Sequence, residues 1–211
     1  MRVDKFVLGE LATNTYLALN EDTKECVLVD PAECKPALVN HIRENEWKVV
    51  GILLTHGHYD HIEGAEMFSK IFKVPMYAHE AERETMMDPV RNLSSWFGAF
   101  TLEGITYVKE GDIISLAGYD FEVIFTPGHT AGGCCYYVRS ESQLFCGDTL
   151  FNNSIGRTDF PDGNMLTLLK SIKEKLFVLP RETVCHTGHM EETTIGFEMD
   201  CNPFIHEEYR Y

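Results

Sequence analysis

Positive charge is scarce in this chain of 211 residues. Eighteen lysines and arginines face 33 aspartates and glutamates, for a formal net charge of −15. No basic cluster offsets that balance. Nucleic-acid affinity rests on neutralising phosphates, and anionic membrane surfaces need the same cations, so neither partner is expected. No Cys-x-x-Cys pair occurs. The seven cysteines, Cys26, Cys34, Cys134, Cys135, Cys146, Cys185 and Cys201, form an odd set with several members in apolar runs. They read as reduced structural thiols rather than a disulfide framework, with a zinc–thiolate site as the minor alternative. Long apolar stretches are also missing: nothing approaches the ~20 residues that span a bilayer, and the N-terminus lacks a secretion signal's apolar core. A cytoplasmic location is the expectation. No low-complexity linker breaks the chain, so residues 1–211 are expected to form one domain with a substantial core.

What is present alternates. Strand-like runs cover residues 2–8, 14–19 and 26–30, and a helix carries Leu38, Val39 and Ile42 behind Pro36. The β-branched run from Val49 to Leu54 predicts a strand, followed by a helix over residues 62–72. A strand over residues 75–78 and a short polar helix over 79–87 come next. Residues 88–104 read as an irregular cover for a pocket. Strands are predicted over 113–116, 119–125, 134–138 and 143–146. Asn164 is placed to cap a helix carrying Met165, Leu168, Leu169, Ile172 and Leu176. A last strand over 183–186 and a helix near Glu192 close the pattern. Strand runs with interspersed helices suggest two packed sheets with helices outside.

The chemistry is concentrated in Thr55-His56-Gly57-His58-Tyr59-Asp60-His61, at the end of the 49–54 strand. Neutral imidazoles and a carboxylate suit borderline divalent metals. On extended backbone His56 and His58 project to one side and can hold one ion. Asp60 and His61 lie where the chain turns into a helix and can aim at a neighbouring position, although Asp60 also suits a helix N-cap. Three more metal-type sites stand in short glycine-flanked loops: His129, Asp148 and His189, with His186 a competitor for the last place. Five histidines and two aspartates exceed what one zinc requires and fit two ions about 3.5–4 Å apart, with Asp148 as the natural bridge. His41, His79 and His206 read as solvated surface histidines. Asp30 either orients a ligand imidazole or simply starts a turn before Pro31; Thr130 is a weaker candidate for the orienting role. Arg157 either meets a substrate carboxylate or is tied to Asp159. Tyr59, Trp96 and Phe97 either wall a pocket or pack locally.

These segments, Thr55 to His61, Thr126-Pro127-Gly128-His129-Thr130, Gly147-Asp148 and Gly188-His189, resemble the motifs of the metallo-β-lactamase superfamily, in that family's order. The resemblance runs from about Val3 to Phe204. It implies an α/β (α+β) fold, an αββα sandwich of two mixed β-sheets flanked by helices, with the site at the sandwich edge. It implies that His56, His58 and His129 hold one metal, that Asp60, His61 and His189 hold a second, and that Asp148 bridges them. Two finer stretches, Ser154-Ile155-Gly156-Arg157-Thr158-Asp159-Phe160-Pro161 and Thr193-Thr194-Ile195-Gly196-Phe197-Glu198 with Asn202-Pro203-Phe204, resemble the short glyoxalase II-like hydrolases. Met190 departs from that group's usual glycine, and His186 stands near its usual proline. The C-terminal helical domain by which longer glyoxalases II contact glutathione is not expected in residues 1–211.

The resemblance implies hydrolysis of a small (hydroxy)acyl thioester such as lactoylglutathione. The attacking group would be a hydroxide shared between two divalent cations, zinc first, with iron or manganese as alternatives. A thiolate with a pKa of about 8.5 can leave without a strong general acid. The rivals are a persulfide dioxygenase using one iron on His56, His129 and Asp148, a hydrolase of lactones, β-lactams or phosphodiesters, and a non-enzymatic metal-binding module.

Overall fold

The structure is a computed structural model and describes residues 1–206. The first half builds a six-stranded mixed sheet in sequence order: β1 (Arg2–Leu8), β2 (Thr13–Asn20), β3 (Glu25–Val29), β4 (Lys48–Leu53), β5 (Met76–His79) and β6 (Ile105–Val108). The first three pair antiparallel and the last four run parallel, with crossovers carried by α1 (Pro36–Glu44), α2 (Tyr59–Ile62), α3 (Ala65–Phe72) and α4 (Arg83–Met87). The second sheet comprises β7 (Ile113–Leu116), β8 (Tyr119–Phe125), β9 (Cys134–Val138), β10 (Gln143–Gly147), β13 (Val184–Thr187) and β14 (Thr193–Thr194), ordered 14-13-10-9-8-7. A small ribbon, β11 (Leu150–Phe151) with β12 (Ser154–Ile155), follows β10. Helices α5 (Met165–Ser171) and α6 (Ile195–Cys201) belong to this half.

The alternation of side chains along each strand explains the layers. In β2 and β3, Tyr16, Ala18, Val27 and Val29 face Phe121, Val123, Tyr136 and Phe145 of the other sheet. Their neighbours Leu17, Leu19, Cys26 and Leu28 pack outward with Leu38, Ile42 and Phe68 of α1 and α3. On the far side, Cys135, Tyr137, Leu144 and Cys185 pack with Leu168, Leu169 and Ile172. Strands covered on both faces read as continuous apolar runs rather than alternating ones. The result is two mixed sheets packed face to face with helices outside, as expected.

Differences from the sequence reading have local causes. The single helix expected over 62–72 is two, broken at Glu63 and Gly64. A Cβ at Gly64 would lie 2.6 Å from the Pro31 carbonyl oxygen, so only glycine lets the chain pass that loop. Strand β6 falls just after the stretch read as irregular; its partly exposed edge position gives it little apolar signal. The cap at Asn164 forms, with its Oδ1 accepting the Thr167 N–H at 2.9 Å. His79 is corrected: it is buried, stacked on Phe125 at 4.1 Å between ring centres. His41 is half-buried beside Phe6, and the side chain of His206 lies outside the described residues. Among the described residues, no helix is long and apolar enough to cross a membrane.

Candidate metal centre

Every segment singled out for its chemistry begins just past the C-terminal end of a strand. β4 leads to Thr55 and His56, β8 to His129, β10 to Asp148, and β13 to Gly188 and His189. The parallel register of β10 and β13 pairs Gly147 with Thr187, which sets Asp148 beside His189. Helix α2 presents Asp60 and His61 from its first turn. The two sheets meet here through the Cys134 N–H, which donates to the Thr55 carbonyl at 2.9 Å.

Among the described residues the geometry assembles three groups of ligand-type atoms, each within 4.8 Å of one another: His56, His58 and His129; Asp60, His61 and His189; and Asp30, His56 and His61, the last of which is tied together by the hydrogen bonds of Asp30 and Thr55 described below. Asp148 lies between them. Its Oδ1 is 3.3 Å from His61 Nε2, and its Oδ2 is 3.5 Å from His129 Nε2 and 3.6 Å from His189 Nε2. Asp60 Oδ2 is 3.3 Å from His189 Nε2 and accepts a hydrogen bond from Thr13 Oγ1 at 2.7 Å.

Surrounding groups hold the imidazoles in one orientation and one tautomer. Asp30, in the left-handed region at φ 46°, accepts from the Thr55 N–H at 2.8 Å and the Thr55 hydroxyl at 2.6 Å. Its Oδ2 also takes the His61 Nδ1 proton at 2.9 Å, leaving His61 Nε2 toward Asp148. The Thr55 hydroxyl, having donated to Asp30, accepts from His56 Nδ1 at 3.1 Å. His129 Nδ1 donates to the Arg157 carbonyl at 2.7 Å, leaving its Nε2 free, 2.9 Å from His58 Nδ1. A ligand histidine commonly donates its other nitrogen to such a partner. His56 Nε2 and Asp148 Oδ1 are buried without a hydrogen-bond partner in the protein. Buried polar atoms are almost always satisfied, so two orphans inside a ring of free imidazole nitrogens fit divalent cations.

Electrostatics point the same way. Burial, then the neighbouring His61 and His58, holds His56 well below the usual histidine range. Burial and His129 push His58 down to about 3. Burial opposes charge on Asp148, but His61 and His129 outweigh it and hold its carboxyl well below the usual carboxylate range. In the second group, although burial opposes charge, Asp60 and Asp148 raise His61 well above the usual histidine range, and the hydrogen bond to Asp60 raises His189. The carboxylates there gather positive charge, which a divalent cation would supply once these imidazoles give up their protons to bind it.

Several expectations need correction or placement. Thr130 does not touch an imidazole; its hydroxyl donates to the buried carboxylate of Glu82. Arg157 binds Asp159 through Nε at 2.9 Å and Nη2 at 2.7 Å, and it is the Arg157 backbone that orients His129. Tyr59 stacks on Phe97 at 4.5 Å, and its hydroxyl is buried without a partner. Trp96 is 90% exposed and walls nothing. His186 stays in β13 away from the cluster, held between Glu192 at 2.8 Å and Gln143 at 2.6 Å.

Glu82 went unrecognised in the sequence because it sits in a polar stretch with no chemical motif. It is fully buried, also accepts from the Gly132 N–H at 3.2 Å, and packs behind Gly57. It thereby ties the 56–58 turn to the His129 loop. Burial pushes its carboxyl up to about 7. A folded-state pKa above the unfolded value of 4.5 means no penalty while both states are protonated, a growing one as pH rises from 4.5 toward about 7, and a constant one above that, once both states are ionised. Stability is therefore expected to fall between about pH 4.5 and 7 and then level off, by up to ~3 kcal/mol from this group. Glu82→Gln should flatten that slope in urea melts; an identical slope in both proteins contradicts the assignment.

A cavity of about 360 Å³ opens over the cluster, lined by His58, Asp60, His129, Asp148 and His189 together with Tyr59, Arg157 and several apolar side chains. Comparison with known proteins identifies the lineage. Residues 8–189 match the Metallo-beta-lactamase superfamily. The chain is 32% identical over 192 residues to hydroxyacylglutathione hydrolase GloC of Haemophilus influenzae, covering 89% of this chain and 91% of that one. The fold superposes on the crystal structure of BLEG-1 B3 metallo-beta-lactamase with a TM-score of 0.91 and 37% identity, over 98% of this chain and 100% of that one. It also superposes on TTHA1623 in a di-iron-bound form, with a TM-score of 0.84 and 32% identity, over 95% and 99% of the two chains. With its motifs, fold and ligand geometry in agreement, this chain belongs to the metallo-β-lactamase superfamily.

Proposed function

We propose that this protein is a two-metal hydrolase of small (hydroxy)acyl thioesters. One cation would be held by His56, His58 and His129, the other by Asp60, His61 and His189, and Asp148 would serve both. When bound, such a pair supplies an activated water at neutral pH and stabilises the oxyanion of an attacked carbonyl. The observation that carries the reading is the approach of His61, His129 and His189 to one buried carboxylate, Asp148. Around it, Asp30 fixes His61, Thr55 fixes His56, and the Arg157 carbonyl fixes His129, so that little reorganisation accompanies the reaction.

Beyond the candidate ligands, no carboxylic acid or histidine among the described residues lines the cavity. That suits a thiolate, which departs without a proton from a strong acid. The Haemophilus relative's name supports hydroxyacylglutathione as the first thioester to assay. Zinc, iron and manganese all accept this ligand set, and the di-iron form of TTHA1623 keeps iron in view. A small molecule, not nucleic acid or membrane, is the partner. Seven free cysteines, five of them buried, suit a reducing cytoplasm.

The test combines metal analysis with turnover. Chelation is expected to abolish thioester hydrolysis, and zinc, iron or manganese to restore it at two ions per chain. Reconstituted protein that ignores every thioester while opening a β-lactam or lactone would refute the reading. So would a single iron with sulfide-dependent oxygen uptake, the outcome for a persulfide dioxygenase built on His56, His129 and Asp148. Assembly of the second group, Asp60, His61 and His189, favours the two-metal form.

A further inference from the structure

We propose that the cavity selects an apolar, uncharged group next to the scissile bond and discriminates against anionic thiol carriers, glutathione included. The inference rests on the thioesterase reading for the reaction; the selectivity itself is read from the walls.

Leu11, Leu93, Phe151, Ile155, Phe160 and Met190 line the cavity. Phe151 and Ile155, of the β11–β12 ribbon, are buried, whereas Leu11 and Met190 stand at the mouth, 51% and 57% exposed. Two of these residues occupy backbone that glycine would adopt more easily. Leu93 has φ 66° and Met190 φ 62°. A non-glycine residue there costs about 1–2 kcal/mol. Left-handed non-glycine residues also occur elsewhere in the chain, so the strain alone marks no site, but these two positions each add an apolar side chain to the wall. Met190 directly follows the candidate ligand His189, and its carbonyl is anchored by Asn14 Nδ2 at 3.0 Å, so its place is fixed.

Among the described residues, free cations for a carboxylate are missing from these walls. Arg157 is the one lining residue among them with a positive side chain, and it is engaged in an exposed ion pair. Its Nε and Nη2 are bound to Asp159, and its guanidinium lies 4.4 Å over the Phe160 ring. A neighbouring cleft of about 450 Å³ shares Tyr59 and Asp60 with the cavity and carries Glu10, Glu33 and Glu63. Its one lysine, Lys35, is paired with Glu33 at 3.0 Å. An anionic carrier leaving the cavity on that side meets like charge, which costs affinity without a compensating partner. Glutathione brings two carboxylates against one ammonium and stays net anionic, whereas a neutral thiol brings no charge. The volume lies at the small end of ligand cavities, about 300–1,000 Å³, and fits a short or medium apolar chain.

Uncleavable thioethers separate this inference from the reaction. S-hexyl-N-acetylcysteamine, S-methyl-N-acetylcysteamine and S-hexylglutathione are titrated calorimetrically into metal-reconstituted protein. The neutral hexyl compound is expected to bind at least about tenfold more tightly than the other two. Asp159→Asn, which frees the Arg157 guanidinium, is expected to close the gap to S-hexylglutathione by about threefold or more. Met190→Gly is expected to weaken the hexyl compound and leave the methyl one unchanged. Equal or tighter binding of S-hexylglutathione overturns the proposal, as does indifference to chain length. Turnover of the matching hexanoyl thioesters is read separately: its absence refutes the thioesterase, while the binding order alone decides the selectivity.

Discussion

Asp148→Asn protein is expected to hydrolyse thioesters at least about 10²–10³-fold more slowly than the parent, the scale on which a central electrostatic group acts. The change conserves shape and removes charge. Asp148 is the carboxylate that His61, His129 and His189 all approach, at 3.3 to 3.6 Å. Its amide counterpart offers one weaker acceptor to two cation positions, so metal content should fall from two ions per chain toward one or none. A far-ultraviolet spectrum like that of the parent shows that folding survives and that the loss belongs to the centre. Full activity with two ions bound is incompatible with the role given to Asp148.

Gly188→Ala is expected to damage the same centre from behind. A Cβ at this position would overlap Asp148 Oδ1 and lie 2.7 Å from His61 Cε1 and 3.0 Å from the Gly147 carbonyl carbon. Two of these neighbours are held in place, Gly147 by the Gly188 N–H at 2.8 Å and His61 by Asp30, so the overlap falls first on Asp148, whose Oδ1 has no hydrogen-bond partner in the protein. Overpacking of this kind costs about 1–3 kcal/mol of stability. The larger consequence is displacement of Asp148 and His61, for which metal affinity should drop at least about 10–100-fold, as when the groups that orient ligands are lost. Isothermal titration with zinc measures it. An alanine variant that binds zinc like the parent would show that this close approach is not needed.

The candidate ligands are legible in the sequence because their chemistry is local. Three imidazoles within six residues cannot be mistaken for surface polarity, and glycines beside His129, Asp148 and His189 mark tight turns after strands. The paired-sheet architecture is legible for a related reason: strands buried on both faces write themselves as unbroken apolar runs, as in Leu17 to Leu19 and Val27 to Val29. What escapes depends on partners distant in sequence. The role of the Arg157 carbonyl toward His129 belongs to backbone, which leaves no side-chain signature. Glu82 and His79 look like surface residues until the loops from 125 to 133 close over them. The helix break at Gly64 is set by Pro31, 33 positions earlier, and no helical periodicity registers it.

The junction between the two sheets carries one more consequence. His56, His58, Asp60 and His61 ride on one sheet, and His129, Asp148 and His189 on the other, so neither half of the chain alone owns a complete ligand set. Grafting or excising a half therefore cannot transplant the chemistry. The two candidate groups come together only where β13 lies beside β10, so the site exists only in the finished sandwich.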